Sequence, residues 1–211
     1  VVALNKNTGE LIWSSPGEGD PSAYCSPLYI ADQQVPLIVT LTANHIIGLE
    51  VSTGKKLWSY KNSNTYSIHA NTPVYSDNII LCTSGDGSGS IMLRLTNGGR
   101  NIEKAWQNVD FDNRIGAVVK VGDYVYGSGN RNRTWFCLDW KTGEVKYQEK
   151  GLTAGNIIAN GDMLYCYTDK GDMLLVKATP AKMDIVSRFP IKLGTEQHWA
   201  HPVIYQGVLY V

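Results

Sequence analysis

Side chains able to bind a ligand or move a proton are sparse in this sequence, and few stand in a catalytic pattern. The histidines are His45, His69, His198 and His201. Imidazole titrates near neutrality, and each ring nitrogen donates or accepts according to tautomer. His198-Trp199-Ala200-His201 invites comparison with a metal pair. In a strand, however, an i, i+3 spacing turns the two side chains to opposite faces, and no carboxylate or thiol lies beside them. Cys25, Cys82, Cys137 and Cys166 form no CxxC and sit in apolar runs, which predicts buried free thiols and no disulfide framework. Ser84-Gly85-Asp86-Gly87-Ser88-Gly89 has the glycines of a phosphate loop without its Lys or helix, and is expected to be a flexible hairpin turn. Asp110-Phe111-Asp112-Asn113 resembles the start of a calcium loop. The remaining spacing and the terminal Glu are absent, so a solvated loop is expected. There is no GxSxG, no HExxH and no nucleophile with an evident base.

The elements that must position these residues come from a repeat. Ala3-Leu4-Asn5-Lys6-Asn7-Thr8-Gly9-Glu10-Leu11-Ile12-Trp13 recurs as Gly48 to Trp58 and as Cys137 to Tyr147. A degenerate copy starts at Leu93 and reaches Trp106 after an insertion; the weakest runs from Leu174 to Phe189 without a Thr-Gly. The turn glycines Gly9, Gly54, Gly98 and Gly143 are 45, 44 and 45 residues apart. Such a period marks a repeat architecture. Helical periodicity is missing, and each unit alternates β-rich runs with Gly-containing turns. One unit is therefore four short antiparallel strands, A to D in chain order. Four-stranded units that cannot bury both faces alone are expected to stack as the blades of an all-β β-propeller. The aromatic after each turn, Trp13, Trp58, Trp106, Tyr147 or Phe189, is expected to pack between neighbouring blades, with Gly9, Gly54 and Gly143 shaping the turns.

Counting strands gives one propeller segment over residues 1–211. It has half a blade at 1–15, blades at about 22–60, 68–108, 114–150 and 153–191, and half a blade at 197–211. The open phase at both ends predicts a part of a larger ring; closure of the two halves into a fifth blade is the other reading.

Composition excludes several classes. Lys+Arg and Asp+Glu are 19 each, so net charge is zero, which disfavours nucleic-acid backbone binding. No apolar run approaches the roughly 20 residues of a transmembrane helix. Val1-Val2-Ala3-Leu4 shows no signal-peptide pattern, and suggests a processed chain or a fragment.

The pattern Ala-Leu-Asn-x-x-Thr-Gly-x-x-x-Trp at 3–13 resembles the tryptophan-docking repeat of the quinoprotein alcohol dehydrogenase-like (PQQ-like) β-propellers, which include BamB-like and uncharacterised bacterial repeat proteins. The resemblance covers the whole chain. It implies that the chain is part of a seven- or eight-bladed propeller in the cell envelope: periplasmic, secreted or anchored. WD-repeat propellers fit poorly, since Asp139-Trp140 is reversed and misplaced. In the family's dehydrogenases a quinone and Ca²⁺ occupy the central channel, with a catalytic Asp and often a vicinal Cys pair. This chain has no vicinal cysteines.

Aligning the units on the start of strand A (Pro27, Pro73, Val118, Ile157, Pro202) places candidate ligand groups at one face of the disc. The preceding residues are Ser26, Thr72, Ala117, Asn156 and His201; four before the fixed points stand Ala23, His69, Arg114, Thr153 and His198. The B–C turns add Asn44-His45, Ser84 to Ser88, Asn130-Arg131-Asn132-Arg133 and Asp169-Lys170. His69, Arg114, Asn156, His198 and His201 are thus candidate donors at a channel mouth for an anionic or polar ligand. The competing reading is that they satisfy loop backbone and ordered water. The chain is expected to be a non-catalytic module binding an unknown protein or small molecule, without cofactor. Two alternatives stay open: a PQQ- and calcium-dependent alcohol dehydrogenase or part of one, and a small-molecule or sugar sensor.

Overall fold

The computed structural model describes residues 1–211. Strands β1 (Val2–Leu4) and β2 (Leu11–Ser14) form a hairpin. Four antiparallel four-stranded sheets follow, each built from consecutive strands. They are β3 (Leu28–Ile30), β4 (Leu37–Leu41), β5 (His45–Glu50) and β6 (Lys56–Lys61); then β7 (Val74–Ser76), β8 (Ile79–Ser84), β9 (Gly89–Thr96) and β10 (Asn101–Asn108). Next come β11 (Val118–Val121), β12 (Tyr124–Ser128), β13 (Trp135–Asp139) and β14 (Val145–Glu149); then β15 (Gly155–Asn160), β16 (Met163–Thr168), β17 (Asp172–Lys177) and β18 (Asp184–Pro190). A last hairpin pairs β19 (Val203–Tyr205) with β20 (Val208–Tyr210). There is no α-helix, in keeping with the all-β class expected from the repeat.

The Thr-Gly turns share one geometry. Asn5, Glu50 and Asp139 each accept the N–H of the Gly four residues on, at 2.7, 2.9 and 2.9 Å, and donate to the carbonyl beyond it. The Thr hydroxyl accepts the N–H two residues later in all three, as at Glu10, Lys55 and Glu144. Gly54 and Gly143 hold φ of +71° and +72°, which a side chain rarely adopts. The degenerate copy closes instead through a 3₁₀ turn at Asn97–Gly99, which accommodates its insertion.

The chain divides into two compact units: Val1–Cys82 with Ile91–Ala105, and Thr83–Ser90 with Trp106–Val211. The first encloses Leu37, Val39, Ile46, Ile80 and Leu93, each essentially inaccessible, with Trp58 at its margin. The second encloses Tyr126, Trp135, Cys137, Leu164, Cys166 and Leu174. Middle strands are mostly buried because both faces are covered; β8 is buried at every position. Outer strand β6 is different and buries Trp58 alone.

The repeated aromatics occupy unequal environments. In the first unit the Trp13 indole N–H donates to Val51 O (2.8 Å) and that of Trp58 to Gly99 O (3.0 Å). In the second unit Trp106 donates to Trp140 O (3.0 Å). Trp13 and Trp106 lie flat against turn glycines. A Cβ on Gly54 would stand 2.4 Å from Trp13 Cε3, and one on Gly143 would stand 2.6 Å from Trp106 Cδ2. Tyr147 is only half-buried. Phe189 corrects the expectation of five buried rings, since 48% of its surface is exposed on β18. The residues after it in this chain offer no Thr-Gly hairpin to receive a ring.

Candidate functional site

The loops entering strands A are held by side chains that reach the B–C turn of the same sheet. In the first unit this group is Asp20. Its carboxylate accepts from Thr42 Oγ1 (2.7 Å) and Asn44 Nδ2 (3.0 Å), and meets His45 Nδ1 at 2.7 Å. These three, Asn44 foremost, hold the Asp20 pKa well below the ordinary carboxylate value. His69 closes the same turn from the other side. Its ring is 1% exposed, and its Nε2 stands 3.2 Å from Ala43 O. A buried ring bonded to backbone is the satisfied-loop arrangement, so the expectation of His69 as a donor in an open mouth is corrected.

In the second unit the corresponding group is Asp112, which is 1% exposed. It accepts the Asn130 N–H at 2.7 Å and the Arg131 N–H at 3.3 Å, with Gly87 N–H contributing. Burial dominates and pushes its pKa up, only partly offset by these donors. Asn113 donates to Ser128 O (2.8 Å), and Phe111 is fully buried with its ring 5.5 Å from that of Phe136. The segment expected to be a solvated loop is therefore largely interior; only Asp110 stays at the surface. The Phe between two acidic residues was the one signal of this in the sequence.

Arg114 packs its side-chain stem over Gly85, and its Nε stands 3.7 Å from Asp86 Oδ2. Arg131 lies over Gly87, where a Cβ would stand 2.5 Å from Nη1. The glycine-rich turn expected to be flexible is thus overlaid by two arginines. A cavity of about 330 Å³ opens beside it, lined by Val109, Asp110, Asp112, Arg131 and Asn132. The sequence placed Asn130 to Arg133 among the B–C turns of the candidate face but carried no sign that they and the 109–112 loop enclose a cavity.

The remaining candidates form a second set in the same unit. Asn156 is fully buried and donates through Nδ2 to Trp199 O (3.0 Å) and Ala200 O (3.2 Å). His198 N–H donates to Asp169 O (3.1 Å), while its ring Nδ1 hydrogen-bonds the Tyr167 hydroxyl. The two rings meet edge-on at 5.4 Å. Burial raises the Tyr167 pKa, so the phenol keeps its proton at neutral pH. His201 lies at the surface, with its pKa lowered by partial desolvation. Asn156 and His198 are thus drawn together by the 198–200 segment, while Arg114 joins the Asp86 turn.

Two chemistries can be tested against these residues. Calcium requires free oxygens, and the Asp112 carboxylate already receives several N–H donors; the loop does not fit the ion. Three thiols, Cys82, Cys137 and Cys166, are buried and do not fit redox or nucleophilic work; Cys25 corrects the expectation of four buried thiols, being only half-buried. Burial pushes Cys137 up to about 11, and Cys82 and Cys166 higher still.

The family model for outer membrane protein assembly factor BamB matches residues 1–180. The chain belongs to this family. No curated protein sequence matches this BamB-family chain. Among solved structures, BamB from Moraxella catarrhalis superposes with a TM-score of 0.68 at 16% identity, covering 99% of this chain and 62% of that one. The chain thus spans less than two thirds of that BamB's length. The computationally designed proteins Ika8 and Ika4 align with TM-scores of 0.63 and 0.60 at 10% and 14% identity. They cover 99% and 82% of this chain, and 65% and 100% of their own. At these identities the likeness concerns the β-propeller fold, and the BamB-family chain shares it.

Proposed function

We propose that this chain is a non-catalytic binding module of the bacterial cell envelope that presents its D–A loops and B–C turns to a protein partner. The observation carrying this reading is made in each unit by itself: in the first Asp20 pins its loop while Tyr24 is exposed, and in the second Asp112 and Asn156 pin theirs while Arg131 and Trp199 are exposed. A pre-ordered loop surface loses little conformational entropy on association. Buried, high-pKa thiols and a carboxylate occupied by N–H donors favour binding over catalysis. The family name, outer membrane protein assembly factor, favours a partner in that process and an envelope location.

The test is photo-crosslinking in envelope preparations from cells carrying the protein. Within the second unit, crosslinkers at Arg131 or Trp199 should capture one shared partner, and one at Lys141, in the Asp139–Glu144 turn at the other ends of the strands, should not. Equal capture from both sets would refute the assignment of the face. Robust dye-linked alcohol oxidation by the protein supplied with PQQ and Ca²⁺ would replace the reading with that of a dehydrogenase.

A further inference from the structure

We propose that the cavity beside the Asp112 turn binds a neutral polyhydroxylated ligand, a monosaccharide or disaccharide. Its volume, about 330 Å³, lies at the lower end of the range for small-molecule sites, roughly 300–1,000 Å³.

The walls are fixed on both sides before any ligand arrives. Asp112 holds the backbone N–H groups of Asn130 and Arg131, which sets the turn carrying Arg131 and Asn132. Asn132 Nδ2 donates to Asp110 O (2.9 Å), and its Oδ1 accepts Thr134 N–H (3.2 Å), so the carboxamide is locked. Asn108 Oδ1 accepts the N–H groups of Asp110 (3.0 Å) and Phe111 (3.1 Å), which fixes the facing segment. Gly129 lets the two walls come together, since a Cβ there would stand 2.4 Å from Asn132 Oδ1 and 2.9 Å from Asp110 O.

The lining decides the chemistry. The Arg131 guanidinium offers only donors, and the Asp110 carboxylate, when ionised, only acceptors. A hydroxyl both donates and accepts, so vicinal hydroxyls satisfy the two groups together. An anionic ligand would meet Arg131 but face Asp110 and Asp112; a cationic one would face Arg131. A neutral ligand places no charge beside either the guanidinium or the carboxylates. Val109, 59% exposed at the rim, supplies the apolar contact that the C–H face of a sugar ring needs.

The test is calorimetric titration of the full chain with glucose, galactose, N-acetylglucosamine and maltose, alongside glucuronate, glucosamine and inorganic phosphate. At least one neutral sugar should bind saturably. Arg131→Ala and Asp110→Ala should each weaken it at least tenfold while the melting temperature holds, and Lys141→Ala should bind as the parent does. Should either variant fold poorly, Val109→Trp fills the cavity without altering a charge and should abolish binding. No saturation with any neutral sugar, preference for a charged probe, or binding indifferent to Val109→Trp would each overturn the proposal. The sugar titration and the crosslinking experiment succeed or fail separately, since neither ligand presupposes the other.

Discussion

Asp20 and Asp112 do the same task by opposite means. Each reaches from a D–A loop to the B–C turn of its own sheet. Asp20 is half-buried and is met by side chains, Thr42, Asn44 and His45, that can turn to water when released. Asp112 is interior and is met by backbone N–H groups that cannot. Donors outweigh desolvation for Asp20 and lower its pKa; desolvation outweighs donors for Asp112 and raises it. Burial, and not the residue type or its topological position, decides whether a carboxylate clasp strengthens or weakens in acid. The aromatics repeat the lesson, with Trp106 enclosed and bonded and Phe189 half in water.

The largest effect expected is from Trp106→Ala, about 3–5 kcal/mol by urea denaturation, because a buried ring and its hydrogen bond are lost together. A cost below about 1 kcal/mol would show that the ring is not a wedge. Asp112→Ala should cost about 3 kcal/mol, since interior N–H donors lose their acceptor. Asp20→Ala should cost distinctly less in the same assay, and an equal or greater loss would break the contrast between the two clasps.

The pH dependence sharpens it further. The Asp20 pKa is lowered on folding, so its contribution is present above the ordinary value of 3.8 and is lost as pH falls through the folded value. Asp112 is raised from the same 3.8, so its ionisation works against folding; the relative stability it gives is present in acid and lost as pH rises through the folded value. Between pH 2 and 5 the parent should gain on Asp20→Asn as pH rises. As pH falls from 7 to 4 it should gain on Asp112→Asn. Melting temperatures of the three proteins across this range check both slopes, and parallel curves would contradict the opposite shifts. The smallest effect is from Phe189→Ala, within about 0.5 kcal/mol of the parent in this chain, as for exposed substitutions generally.

Much of the fold was legible because it is local. Thr-Gly turns four residues after an Asn, Glu or Asp close by hydrogen bonds within six residues, so the hairpins at Asn5–Glu10, Glu50–Lys55 and Asp139–Glu144 were visible as sequence. The candidate site was legible only in part. The entrance columns contained Asn156 and His198, which the structure does draw together, but His69 turned out buried and bonded to backbone. The Asp110–Asn132 cavity escaped notice because its two walls, at 109–112 and 131–132, meet only in the fold.

Residue order alone determined the repeat, the strand count and the turns, since each depends on neighbours a few positions away and on the φ freedom of glycine. Tertiary packing alone decided which of two similar aspartates lies inside. Asp112 meets its donors 18 and 19 positions along the chain, and Phe111 rests on Phe136. Solvent exclusion arises only when such distant segments meet, and it is solvent exclusion that sets the sign of a carboxylate's pKa shift and the strength of its hydrogen bonds.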